Sequence, residues 1–74
     1  MGVKRSKSRG ELRFGDNLKR ERLKRKLTYA QLGELTGIDP TNLKRFETKE
    51  RMPRLIVAYC IADGLGVKIN VLIN

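Results

Sequence analysis

Two helix-start signals set eleven residues apart around one glycine constrain this chain more than any other feature. In Leu27-Thr28-Tyr29-Ala30-Gln31-Leu32, Thr28 and Gln31 have the spacing of a capping box, in which each side chain satisfies the other residue's backbone N–H. Leu27 and Leu32 flank it where a hydrophobic staple would clamp the start of the helix. That helix is expected to run about two turns and stop at Gly37, the residue suited to a left-handed terminus. The same signals then recur: Asp39 as N-cap, Pro40 at the first helical position, and Ile38 with Leu43 as a second staple. Upstream, FGDNLKRERLKRK sets Phe14, Leu18 and Leu23 at roughly helical spacing and predicts a first helix over Phe14 to Lys26. Two short helices joined by a tight glycine turn make a helix-turn-helix, with Leu32, Leu35, Ile38, Leu43 and Phe46 as its expected internal contacts. An αα-hairpin with no nucleic-acid role carries the same local signals.

Charge separates the two readings. Lys and Arg total 17 against 8 Asp and Glu, a formal charge of +9, so a polyanion leads among partners. Residues 1–28 hold eleven basic and three acidic groups and residues 44–54 five and two, while residues 55–74 hold one of each. On the third helix, Leu43 and Phe46 point inward, so Thr41, Lys44, Arg45 and Thr48 share the opposite face. Such a face suits a DNA major groove. Residues 1–13 (MGVKRSKSRGELR) show no periodicity and read as a basic arm. Lys4, Arg5, Lys7 and Arg9 of that arm either follow phosphates or a minor groove, or form a solvated tail.

Composition narrows the class further. No His and a single Cys exclude most metal sites, since zinc takes about four N or S ligands, and no disulfide can form within the chain. No acid/base pair, activated nucleophile or glycine-rich phosphate loop is visible, so neither an enzyme nor a cofactor is expected. Nothing approaches the roughly 18 apolar residues of a membrane span, and Met-Gly-Val-Lys-Arg does not lead into a signal core; a cytoplasmic protein is expected.

At this point LTYAQLGELTGIDPTNLKRFE, residues 27–47, with Arg51, Pro53, Leu55 and IADGLGV at 61–67, resembles the XRE type of helix-turn-helix regulators, which includes phage repressors and Cro. The resemblance covers about residues 14–67. It implies an all-α bundle of four helices, five if the C-terminus is helical, and an ion pair between Arg22 and Glu47 that joins the first and third helices. It also implies double-stranded DNA as partner. Resemblance and helical geometry together assign base edges to Thr41, Lys44 and Arg45, because Arg and Lys pair with guanine acceptors in the major groove. Thr28, Tyr29, Asn42, Thr48, Lys49, Arg51 and Arg54 are the candidates for phosphate. Four positions depart from the family's pattern: Tyr29 for a frequent Gln, Gly33 for Ala, and Lys26 and Lys49 for Gly.

The last third carries almost no charge. Leu-Ile-Val-Ala-Tyr-Cys-Ile-Ala, residues 55–62, is apolar all round and needs cover on more than one side. Leu55, Ala58, Ile61, Ala62 and Leu65 are expected to face the core, leaving Ile56, Tyr59 and Cys60 exposed. Val67, Ile69, Val71 and Ile73 alternate with Lys68, Asn70 and Asn74, the pattern of a strand. A short fifth helix is the other reading. A lone strand must pair with its copy in a second chain, as in the HipB-like antitoxins that the ending resembles. The expected organisation is therefore a basic arm at 1–13, a helix-turn-helix domain at 14–66 and a dimerisation segment at 67–74. Ile56, Tyr59, Cys60, Val67, Ile69, Val71 and Ile73 would form the homodimer interface. The expected function is a dimeric transcriptional repressor; the alternative is an antitoxin that neutralises a protein partner and regulates its own operon.

Overall fold

A computed structural model of the protein describes the backbone of residues 9–73 and the side chains of residues 13–73. Five helices follow one another: α1 (Arg9–Lys24), α2 (Tyr29–Thr36), α3 (Pro40–Thr48), α4 (Leu55–Leu65) and α5 (Ile69–Ile73). Helix α1 begins five residues before Phe14, so the segment expected as arm is helical from Arg9 onward. Glu11, Leu12 and Arg13 are good helix formers, and they extend the pattern that Phe14 and Leu18 anchor. Lys4, Arg5 and Lys7 lie outside the described residues. At its other end α1 stops at Lys24, two residues short of the expected Lys26. Lys26 turns into the left-handed region at φ 55°, and Leu27 N–H reaches back to Arg22 O at 3.1 Å.

The middle of the chain follows its caps. Gln31 N–H donates to Thr28 Oγ1 at 3.0 Å and Thr28 N–H to Gln31 Oε1 at 2.9 Å, closing the capping box. Helix α2 ends on Gly37, left-handed at φ 77°, whose N–H donates to Gly33 O. Asp39 accepts from Thr41 N–H at 2.8 Å, Pro40 opens α3, and Lys49 closes it in the left-handed region at φ 71°.

Phe14, Leu18, Leu32, Leu43, Phe46, Ala58, Ile61, Ala62, Leu65 and Leu72 form the core. Phe14 meets Phe46 edge to face at 6.4 Å. Helix α1 crosses the end of α3 so closely that a Cβ on Gly15 would sit 2.5 Å from Phe46 O. A Cβ on Gly33 would likewise sit 2.9 Å from Ile38 O, so the close-packed turn between α2 and α3 explains why glycine stands there.

Three residues expected inside are outside. Leu23 is 52% exposed because nine residues past Phe14 lies about half a turn round the helix from it. Leu35 is 51% exposed, since Leu32, Gly33 and the half-buried Thr36 already define the inner face of α2. Leu55, 70% exposed, stands at the first position of α4, while Ala58, Ile61, Ala62 and Leu65 take its inward face.

The expected strand is also corrected, because Ile69–Ile73 is the helix α5, packed on α1. Its alternation of β-branched residues points the wrong way: Leu72, on the face that a strand would give to Lys68 and Asn70, is the residue fully buried. A helix can seat Leu72 in the core while its backbone finds partners inside the same chain. Asn17 Nδ2 donates to Leu72 O at 2.8 Å, Arg20 Nη2 to Val71 O at 3.3 Å, and Val71 N–H to Lys68 O at 2.9 Å. No second chain is then needed to satisfy the segment. The architecture is an all-helical bundle with the helix-turn-helix at its centre.

Candidate nucleic-acid interface

Helix α3 is short, capped at both ends and buried along one side by Leu43, Phe46 and Glu47. Helical periodicity then turns Thr41, Lys44, Arg45 and Thr48 to the other side, and all four are exposed. Arg45 stands 3.8 Å from Glu50, a loose ion pair that leaves the guanidinium free to swing, and Thr48 Oγ1 donates back to Arg45 O at 3.2 Å. Beyond the helix, Lys49 Nζ pairs with Asp16 at 3.1 Å. Arg51 and Arg54 are exposed on the loop to α4, at the rim of a groove of about 380 Å³ that Asn42, Phe46, Met52 and Val57 also line. Asn42 is half-buried in that groove and lies off the exposed face. A polar and cationic ridge thus runs from Thr41 to Arg54, with arginine forks suited to planar and phosphate acceptors.

Behind the ridge lies a wired anchor. Arg22 Nε donates to Glu47 Oε2 at 2.7 Å and Arg22 Nη2 to Glu47 Oε1 at 3.2 Å, a two-point pair with the carboxylate side chain only 2% exposed. Arg22 Nη1 also donates to Leu27 O at 2.9 Å, between α1 and α2. Glu47 beside it raises the Arg22 pKa further above its ordinary value. Tyr29 completes the group: its hydroxyl donates to Glu47 Oε1 at 2.8 Å and Arg22 stacks over its ring at 4.2 Å. Burial first, and the bond to Glu47 second, push the Tyr29 phenol above its ordinary range, so it stays a donor.

The Arg22–Glu47 pair is the one expected from the sequence, and Tyr29 joins it without a sequence signal. A separation of 18 residues between Tyr29 and Glu47 carries no helical or strand period by which to detect the contact. Thr28, expected both in the capping box and as a candidate for phosphate, has its hydroxyl oxygen accepting from Gln31 N–H as the spacing predicts.

The residues assigned to self-association lie on another face. Ile56 is 71% exposed, and Leu55, Tyr59 and Cys60 join it on the outer side of α4. Val67 and Ile69 are half-buried in a groove between α4 and α5 that Tyr59, Asp63 and Lys68 also line. Val71 is half-buried and Ile73 exposed on α5.

No group of His, Cys, Asp and Glu that could hold a metal occurs among the described residues, and none of their helices is long and apolar enough to cross a membrane. No curated protein and no solved structure matches the chain. A family model described as helix-turn-helix matches residues 18–72, from Leu18 of α1 to Leu72 of α5. With that match over most of the chain, a capped α2–turn–α3 and a basic ridge on α3, the chain belongs to the XRE-type family of helix-turn-helix DNA-binding regulators.

Proposed function

We propose that the protein is a transcriptional repressor that binds an inverted repeat as a homodimer, with α3 of each copy in a major groove. The observation that carries this reading is the exposed face of α3, where Thr41, Lys44 and Arg45 stand together opposite the buried Leu43, Phe46 and Glu47. Lys44 and Arg45 read guanine edges and Thr41 a thymine methyl or a phosphate, each good bidentate contact contributing about 1–3 kcal/mol of discrimination. Asn42, Thr48, Lys49, Arg51 and Arg54, with Thr28 at the start of α2, hold phosphates and set the register.

The outer face of α4 and the groove beside α5 supply the second half of the proposal. Ile56, Tyr59 and Cys60 are exposed apolar residues that a second copy would cover, joined by Val67, Ile69, Val71 and Ile73. A two-fold axis through this face presents two recognition helices about one DNA turn apart. The same uncovered face favours, as a second reading, an antitoxin that uses it to hold a protein partner and binds DNA to regulate its own operon.

Selection from random duplexes at two salt concentrations tests the proposal. Enrichment of an inverted repeat with half-site centres about 10 base pairs apart is expected. Strong binding to every duplex with no enrichment would refute sequence-specific repression. Sedimentation of the protein with and without Ile56→Asp separates the dimer from the partner-binding reading: the substitution dissociates a homodimer and leaves a monomer unchanged.

A further inference from the structure

Burial of Leu43 and Phe46 decides which face of α3 meets the bundle, but apolar contact is non-directional and sets the roll of the helix about its axis only coarsely. Its finer setting falls to directional bonds, and the side-chain bonds from within α3 to other helices are those of Glu47. Two residues past Arg45, Glu47 lies about 200° round the helix from it, on the opposite side from the reading face. Its carboxylate is grasped from two other helices: by Arg22 of α1 through both oxygens, and by Tyr29, the first residue of α2, through Oε1 at 2.8 Å. One donor alone would leave α3 free to pivot about a single attachment; donors from α1 and α2 together define an angle.

The residue type matters as much as the contact. A side chain at the start of α2 that reached outward would meet the DNA backbone, the role the family pattern gives this position. Tyr29 is instead half-buried with its ring beneath the Arg22 guanidinium at 4.2 Å and its hydroxyl turned inward onto Glu47. Thr28 and Gln31 beside it are held in the capping box. We infer that Tyr29 is a positioning residue for DNA recognition, a strut whose hydroxyl sets the roll of α3 through Glu47 and so determines where Lys44 and Arg45 meet the bases, while making no phosphate contact itself. This rests on the proposed DNA-reading role of α3. A recognition surface tolerates only about 0.5 Å or 10–20° of misplacement, which is the scale on which one anchoring bond acts.

The test is Tyr29→Phe in the full chain, which removes the hydroxyl and keeps the ring. Affinity is measured for the duplex that the unaltered protein selects and for a scrambled duplex, each across a salt series. The strut predicts that affinity for the selected duplex falls by about fivefold, part of the discrimination a base contact carries, while the scrambled duplex and both salt slopes stay unchanged. A phosphate ligand predicts an equal loss on both duplexes, because a backbone contact carries no sequence information, and that result overturns the inference. So does an unchanged ratio of the two affinities. A purely structural role lowers the folded fraction and thereby both affinities alike, so the ratio separates it from positioning. Failure of the unaltered protein to select any sequence would instead remove the DNA-reading role itself, before the variant is compared.

Discussion

The helix-turn-helix and α5 face the same problem, unpaired backbone groups at helix ends, and meet it in opposite ways. Helices α2 and α3 are closed by neighbours in sequence: Thr28 with Gln31, Gly37 with Gly33, Asp39 with Thr41. Helix α5 has five residues, and its last carbonyls are closed from more than fifty residues away by Asn17 and Arg20 of α1. The first arrangement is written into fourteen consecutive residues, Thr28 to Thr41, and holds together the part proposed to read DNA. The second exists only once α1 and α5 have met, so it belongs to the tertiary structure and depends on a single buried side chain, Leu72. The difference implies that the two regions fail separately: α5 is released by damage to one contact, whereas the recognition unit loses stability in small increments.

The largest expected effect tests the dependent region. Leu72→Ala removes a fully buried side chain that keys α5 into the core and should cost about 2–5 kcal/mol. Urea denaturation followed by circular dichroism measures it, and a loss under 1 kcal/mol would show that α5 is not held by that residue. The self-sufficient region should respond less. Thr28→Ala removes one half of the capping box at the start of α2 and is expected to cost about 1 kcal/mol by the same measurement. If Thr28→Ala were the more damaging of the two, the contrast between local and distant closure would be reversed.

That contrast also separates what could be read in the sequence from what could not. The boundaries at Thr28, Gly37 and Asp39 were legible because a cap and its partner sit within four residues of each other. The outward face of α3 was legible because Leu43 and Phe46 fix it by periodicity alone. The start of α1 was hidden by composition: Lys, Arg, Ser and Gly before Glu11 resemble an arm, yet the helix begins at Arg9. Val67, Ile69, Val71 and Ile73 carried a strand pattern over a segment too short for propensity to decide, and the sockets for Leu72 and its carbonyl lie on α1. The place of Tyr29 beside Glu47 was not legible, because the two become neighbours only in three dimensions.

A smaller effect, of opposite sign, is expected at Lys26. It occupies the left-handed region at φ 55°, where a side chain is strained and glycine is not. Lys26→Gly should therefore stabilise the protein by about 0.5–1 kcal/mol, after the entropy that glycine adds to the unfolded chain is counted. Lys49 has the same backbone at φ 71°, but its ion pair with Asp16 offsets part of the gain, so Lys49→Gly should stabilise less. A thermal melt of each variant orders them, and a destabilised Lys26→Gly would mean that the lysine side chain contributes more than its backbone strain costs.

The smallest effect lies in the pH profile, where one carboxyl among eight acidic residues links α1 to the clamp on α5. Glu21 is buried on α1, and Arg25, then Arg20 and Lys24, hold its carboxyl below the ordinary glutamate range against the opposing pull of burial. A lowered folded value contributes stability that is present above the unfolded pKa of about 4.3 and disappears as pH falls through the folded value. Protonation also frees Arg20, which reaches both Asn17 Oδ1 and Val71 O, so the α1–α5 contact should weaken in acid ahead of the helix-turn-helix, whose caps involve only one carboxylate, Asp39. Glu21→Gln should be less stable than the unaltered protein at pH 7 and lose stability less steeply below about pH 4.5. Amide exchange at Leu72 and at Leu32 across that range locates the change: acid-enhanced opening at Leu72 first, abolished by Glu21→Gln, is the expected order, and simultaneous opening at both would show that the two regions share one cooperative unit.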